Sequence, residues 1–233
     1  MKAEIRDALI AARAARRPVA LATNLATGKQ LLIHGGETTG DLCLDVDMIA
    51  AAGEAVKTDS STTLSTPAGQ VFVQVFNPPP RLIVVGAVHI AEPLARMGEL
   101  AGYSVTLVDP RRAFADGTRF EGFTVMGDWP DEAMERLQPD ARTAVVTLTH
   151  DPKLDDPALA AALRSPAFYI GSLGSRKTHA ARLARLKTMG FDDAALARIH
   201  GPVGLEINAQ SPAEIAVAIL AQITEVRRRE PAS

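Results

Sequence analysis

RLIVVGAVHIAEPLARMGELAGYSVTLVDPR, residues 81–111, reads as strand, glycine turn, helix, glycine and a second strand that ends in an acid. That order belongs to a dinucleotide-binding unit. Gly86 lets the chain turn sharply off the first strand, and Ala91 is small enough for close helix–strand packing. Asp109 follows Gly86 by 23 residues, where an acid accepts hydrogen bonds from a ribose diol. The middle position breaks the pattern. Where G-x-G-x-x-G places glycine so that backbone meets the pyrophosphate, the run Gly86-Ala87-Val88-His89-Ile90-Ala91 places valine. The turn alone is read equally well as a displaced nucleotide site or as a Rossmann turn that has lost its ligand. His89 stands where free N–H groups and the positive end of the helix dipole gather, which favours a neutral ring.

Working outward, FYIGSLGSRKTHAARLARLKTMG (168–190) runs from a strand through Gly171, Ser172, Gly174 and Ser175 into a helix led by Arg176 and Lys177. Small residues, hydroxyls and cations at a helix N-terminus suit an anion, although the P-loop spacing is absent. A third strand, near 143–148, places Thr149, His150 and Asp151 on the same rim. Open parallel sheets hold ligands at the carboxyl ends of their strands. The bland alternative is a set of ordinary turns with solvated charges.

The strand–helix alternation from 81 onward predicts a parallel sheet covered on both faces. Strands are expected at 81–85, 104–109, 123–126, 143–148 and 168–171. Helices are expected at 90–101, 131–137, 156–164, 177–189, 192–199 and 212–228. Residues 1–76 predict a small α+β domain with two hairpins, and 77–80, Asn-Pro-Pro-Pro, an extended linker. The fold class is therefore α/β, a Rossmann-like domain over 81–233 preceded by a small α+β domain.

Composition bounds the rest. Of 233 residues, 47% are hydrophobic and the formal net charge is −2, a balance that argues against nucleic acid or an anionic membrane as partner. No apolar run approaches the roughly 20 residues of a membrane helix, and a cytoplasmic location is expected. A single cysteine, Cys43, excludes an internal disulfide. The sequence has no C-x-x-C, H-E-x-x-H or G-x-S-x-G motif, so neither a catalytic set nor a metal site emerges.

Four segments together resemble the XdhC/CoxI family of xanthine dehydrogenase accessory proteins: VFVQVFNPPPRLIVVGAVHIAEPLARMGELAGYSVTLVDPR, VVTLTHDPKLDDPAL, YIGSLGSRKTHAARLARL and IHGPVGLEINAQSPAEIAVAILAQI. They span nearly all of 71–223 in family order. The resemblance implies a protein that binds molybdenum cofactor as cargo and takes part in its sulfuration with a cysteine desulfurase. It also implies delivery to an apo molybdenum hydroxylase of the xanthine dehydrogenase type. It carries the family's turn histidine onto His89, its aspartate onto Asp109 within Val108-Asp109-Pro110-Arg111, and its glycine–serine turn onto Gly171 through Arg176. The family's S-G-G-C-V-E-like motif meets Gly40-Asp41-Leu42-Cys43-Leu44-Asp45 here, without the double glycine. Cys43 aligns with the motif's cysteine, and a soft thiolate suits molybdenum or persulfide chemistry. Two rival readings stay open. One is an NAD(P)-dependent oxidoreductase, with Arg111 and Arg112 reaching a 2′-phosphate. The other is a ligand-free docking scaffold. A homodimer is the base-rate expectation for assembly.

Overall fold

The computed structural model describes residues 2–111 and 118–229. The chain forms two compact units that divide between Pro78 and Pro79.

In the first unit α1 (Ala3–Ala14) precedes the strands β1 (Val19–Asn24), β2 (Gln30–His34) and β3 (Glu37–Gly40). Helix α2 (Val46–Thr58) then leads to the hairpin β4 (Thr62–Thr66) and β5 (Gly69–Phe76). The strands form one antiparallel sheet in the order β3-β2-β1-β5-β4. Period-two alternation sorts its side chains. Ala20, Ala22, Leu31, Ile33, Val71 and Val73 meet Ala52 and Ala55 of α2, while Val19, Leu21 and Leu32 meet Ile5 and Leu9 of α1. Strand β3, ETTG, escapes sequence reading because it has no apolar residue to alternate.

The second unit is a Rossmann-like α/β domain. It comprises β6 (Arg81–Val85), α3 (Ala91–Leu100), β7 (Ser104–Val108), β8 (Thr124–Met126), α4 (Pro130–Leu137) and β9 (Thr143–Thr147). After these come α5 (Pro152–Arg164), β10 (Tyr169–Ser172), α6 (Arg176–Thr188), α7 (Asp193–Leu196), β11 (Ile199–His200) and α8 (Pro212–Arg228). All six strands are parallel, in the order β8-β7-β6-β9-β10-β11. In chain order that is 3-2-1-4-5-6, the doubly wound arrangement, and its switch point lies between β6 and β9. Both faces are buried. Leu82, Val84, Leu107 and Val146 pack on Leu94 of α3 and Ile219 of α8. Ile83, Val85, Val108 and Val145 pack on Met134 of α4, Leu159 of α5 and Leu186 of α6.

Two elements differ from expectation. The helix expected at 192–199 stops at Leu196, and Ile199–His200 becomes the sixth strand because Ile170 and Gly171 offer it a parallel edge. The helix expected at 156–164 begins at Pro152, since the Asp151 carboxylate caps it by accepting from the Lys153 N–H (2.9 Å). The capping box at the start of α8 is present: Ser211 and Glu214 satisfy each other's backbone N–H groups.

Candidate ligand-binding rim

The rim is built from the turns that follow β6, β7, β9 and β10. Gly86 has φ +107°, and a Cβ there would lie 2.5 Å from the Thr149 Cγ2. The turns after β6 and β9 therefore touch, and glycine is the residue that permits it. Ala87 is fully buried, and Val88 is half-buried with its side chain against the core beneath α3. His89 is exposed just before α3. The Arg119 Nη2 donates to its Nδ1 (2.8 Å), so Nδ1 accepts and the ring proton sits on Nε2.

Asp109 does not stand open for a ribose. It is fully buried, and its carboxylate already accepts four hydrogen bonds. These come from the Ala87 N–H (2.8 Å), the Arg111 N–H (3.0 Å), and the Arg111 Nε (2.9 Å) and Nη2 (2.8 Å). Burial works against this charge. The Arg111 guanidinium and the two amides outweigh burial and hold the carboxyl below its usual pKa. The Asp109 carboxylate thus occupies a turn amide that a pyrophosphate would need, and Arg111 occupies the acceptors that a diol would need. Pro110 bends the chain between them and is half-buried. Arg112 lies outside the described residues.

The turn after β9 is a closed local unit. The Thr149 Oγ1 donates to the Asp155 Oδ1 (2.7 Å) and accepts from the Asp151 N–H (3.1 Å). His150 is exposed with φ +61°, in the left-handed region that a non-glycine residue seldom enters. At the end of β10, Gly171 is buried, and the Ser172 hydroxyl is sealed between strands against the Thr147 Oγ1 (2.6 Å). Ser172 was expected to face a ligand. The strand ends one residue later than its pattern suggests, at Ser172 rather than Gly171, which turns the hydroxyl inward. Gly174, Ser175 and Arg176 remain at the surface end of the turn. Ser175 caps α6 by accepting from the Thr178 N–H, and Arg176 pairs with Glu206 while 83% exposed. The first turn of α6 carries no acid, so its dipole stays available to an anion.

Sequence reasoning missed two residues beneath this rim. Asp155 of α5 and Arg182 of α6 are each 1% exposed and face each other at 3.6 Å. The Arg182 Nη2 also donates to the Leu173 carbonyl (2.8 Å). No local signal marks this pair, because its members lie 27 positions apart and each sits in an ordinary charged helix. A cleft of about 760 Å³ between α4 and α5 lies instead at the amino-terminal edge of the strands, among Gln138, Pro157, Arg164 and Pro166, away from these groups.

Cys43 belongs to the first unit, in the exposed segment before α2. Asp45 beside it caps α2 by accepting from the Met48 N–H. Among the described residues no cluster of three or more His, Cys, Asp or Glu is placed to hold a metal ion. Likewise, none of their helices is long and apolar enough to cross a membrane.

The sheet order and the rim define a Rossmann-type unit whose first glycine turn satisfies itself. The XdhC Rossmann domain family matches residues 82–223, and the chain belongs to that family. It is 31% identical over 160 residues to a Bacillus subtilis protein named as a probable subunit of xanthine dehydrogenase, covering 68% of this chain and 46% of that protein. It is 30% identical over 152 residues to the molybdenum cofactor insertion chaperone PaoD of Escherichia coli, covering 65% and 42%. It is 29% identical over 188 residues to the uncharacterised Escherichia coli protein YqeB, covering 79% and 33%. The chain thus spans less than half the length of these relatives. A crystal structure from Bacillus halodurans, described as a xanthine dehydrogenase, superposes with a TM-score of 0.74. It is 23% identical, covers 97% of this chain and 68% of that one, and shares the fold.

Proposed function

We propose that the protein binds molybdenum cofactor at the carboxyl rim of its second unit and assists its maturation and insertion into a molybdenum hydroxylase of the xanthine dehydrogenase type. The observation that carries this reading is the state of the rim. The turn that would hold a dinucleotide pyrophosphate is filled by Asp109 and Arg111, while the start of α6 keeps Gly174, Ser175 and Arg176 at the surface. A guest with one terminal phosphate and a polar ring system suits such a rim better than NAD(P). The name of one relative, a molybdenum cofactor insertion chaperone, supports molybdenum cofactor as that guest. In this reading the partners are the apo-hydroxylase and a cysteine desulfurase that sulfurates the bound cargo. The exposed Cys43 thiol is then a candidate sulfur carrier, the location is the cytoplasm, and a homodimer is the assembly to look for.

Two measurements test it. Molybdenum cofactor released from a denatured molybdoenzyme should co-elute with the protein on gel filtration. Arg176→Ala should weaken retention about three- to tenfold, the effect of one charge-assisted hydrogen bond at an exposed edge. Absence of retention by the wild type would remove the proposal. NADH and NADPH, followed by nicotinamide fluorescence, should show no saturable binding up to about 1 mM, a limit that corresponds to roughly 4 kcal/mol of binding energy. Micromolar binding with turnover of a carbonyl substrate would restore the oxidoreductase reading.

A further inference from the structure

The ion pair beneath the rim is a poor way to join two helices. In addition to the contacts already given, the Asp155 Oδ2 and the Arg182 Nε and Nη1 are buried with no hydrogen-bond partner among the described residues. Burial pushes the Asp155 carboxyl up and the Arg182 guanidinium down, each toward its neutral form, against their mutual attraction. A buried pair of this kind is often no more stabilising than apolar side chains of the same volume. The same two helices already share a better pair, one residue along α5 and three along α6. Arg185 grips both oxygens of Asp156 through Nε and Nη2, and the Arg185 side chain is 40% exposed.

What Asp155 and Arg182 do reach is the rim. Gly86 abuts Thr149, Thr149 donates to Asp155, Asp155 faces Arg182, and Arg182 holds the Leu173 carbonyl. The Arg182 Nη2 also lies 3.7 Å from where a Cβ on Gly174 would stand. The contacts run without a break from the turn after β6, across the switch point, to the turn after β10.

We propose that Asp155 and Arg182 are positioning residues that set the separation of the Gly86 and Gly174 turns, so that the rim grips its guest as one unit. This rests on the reading of that rim as the cargo site. The pair touches no guest itself; it acts through Thr149 on one side and Leu173 on the other.

The test is the double variant Asp155→Asn with Arg182→Met, which removes both charges at nearly constant volume and leaves an oxygen for Thr149. Its melting temperature should stay within about 4 °C of the wild type, or rise, since the pair contributes little net stability. Retention of molybdenum cofactor should fall about tenfold, the scale of coupling within one contact network. Asp156→Asn with Arg185→Met, on the same helices, should retain cofactor normally. Amide hydrogen exchange in the absence of cargo provides an independent readout. Residues 86–89 and 173–175 should exchange faster together in the first variant and not in the second. If the wild type retains no cofactor, the functional proposal fails and the exchange result alone decides the positioning. Normal retention, or lost retention with both turns unloosened, would overturn the inference. Should the first variant not fold, Thr149→Val cuts the same network at one hydroxyl. It should loosen both turns, and an unchanged exchange pattern would count against the idea.

Discussion

Asp109→Ala is expected to destabilise the second unit by about 3–4 kcal/mol, the lower part of the range for breaking a buried ion pair. The loss has two sources. The buried Ala87 N–H is left without its acceptor, and the carboxylate–guanidinium pair with Arg111 is lost. The Arg111 side chain is 34% exposed and can turn to water, which keeps the cost from reaching the top of that range. In a unit of this size the fall in melting temperature is roughly 5–12 °C. Asp109→Asn keeps an acceptor for Ala87 and should lose less. The effect has a defined pH window. The folded carboxyl titrates below its usual value, so its contribution is fully present above the unfolded pKa of about 3.9. It is lost as pH falls through the lower folded value. Wild type and Asp109→Asn should therefore differ in urea midpoint at pH 7 and converge in strong acid. An Asp109→Ala protein that melts with the wild type would refute the clamp.

Gly86→Val should cost about 2–6 kcal/mol, the sum of two penalties. A branched residue at φ +107° stores about 1–3 kcal/mol of backbone strain. Its Cβ, 2.5 Å from the Thr149 Cγ2, forces a shift that adds about 1–3 kcal/mol of overpacking. Gly122→Ala provides the comparison: φ is +91°, but nothing lies within 4 Å of the new Cβ, so only strain applies. Urea denaturation should place Gly86→Val clearly below Gly122→Ala. Equal midpoints would show that the Thr149 contact yields freely. Because Thr149 also holds Asp155, Gly86→Val should disturb the β9 turn as well as its own.

Most of the architecture was legible because the second unit repeats one grammar. Each strand is a short apolar run, and most of the helices are punctuated by a proline or capping residue at the start or a glycine at the end. What escaped reading depended on partners distant in sequence. Ile199–His200 becomes a strand only beside Ile170 and Gly171, and ETTG only beside β2. The rim was half legible. Gly86 and Gly174 announced their turns, whereas Ser172 was misplaced because its strand ends one residue later than read. For Asp109, the clue stood two residues away in Arg111, where the proline between them folds the guanidinium back onto the carboxylate. Arg182 offered no clue, since an arginine in a helix is ordinarily solvated.

The hydrogen bond from the Ala87 amide to Asp109 bears on what release of a ligand from this rim would cost. An unoccupied nucleotide cradle ordinarily exposes bare donors, and refilling them with water or ligand favours tight retention. Here the turn after β6 is satisfied by an internal carboxylate, so it holds no bare donor in the dry interior. On the reading proposed above, a guest seated at the start of α6 leaves this turn undisturbed, so its release to a recipient strands no buried amide here.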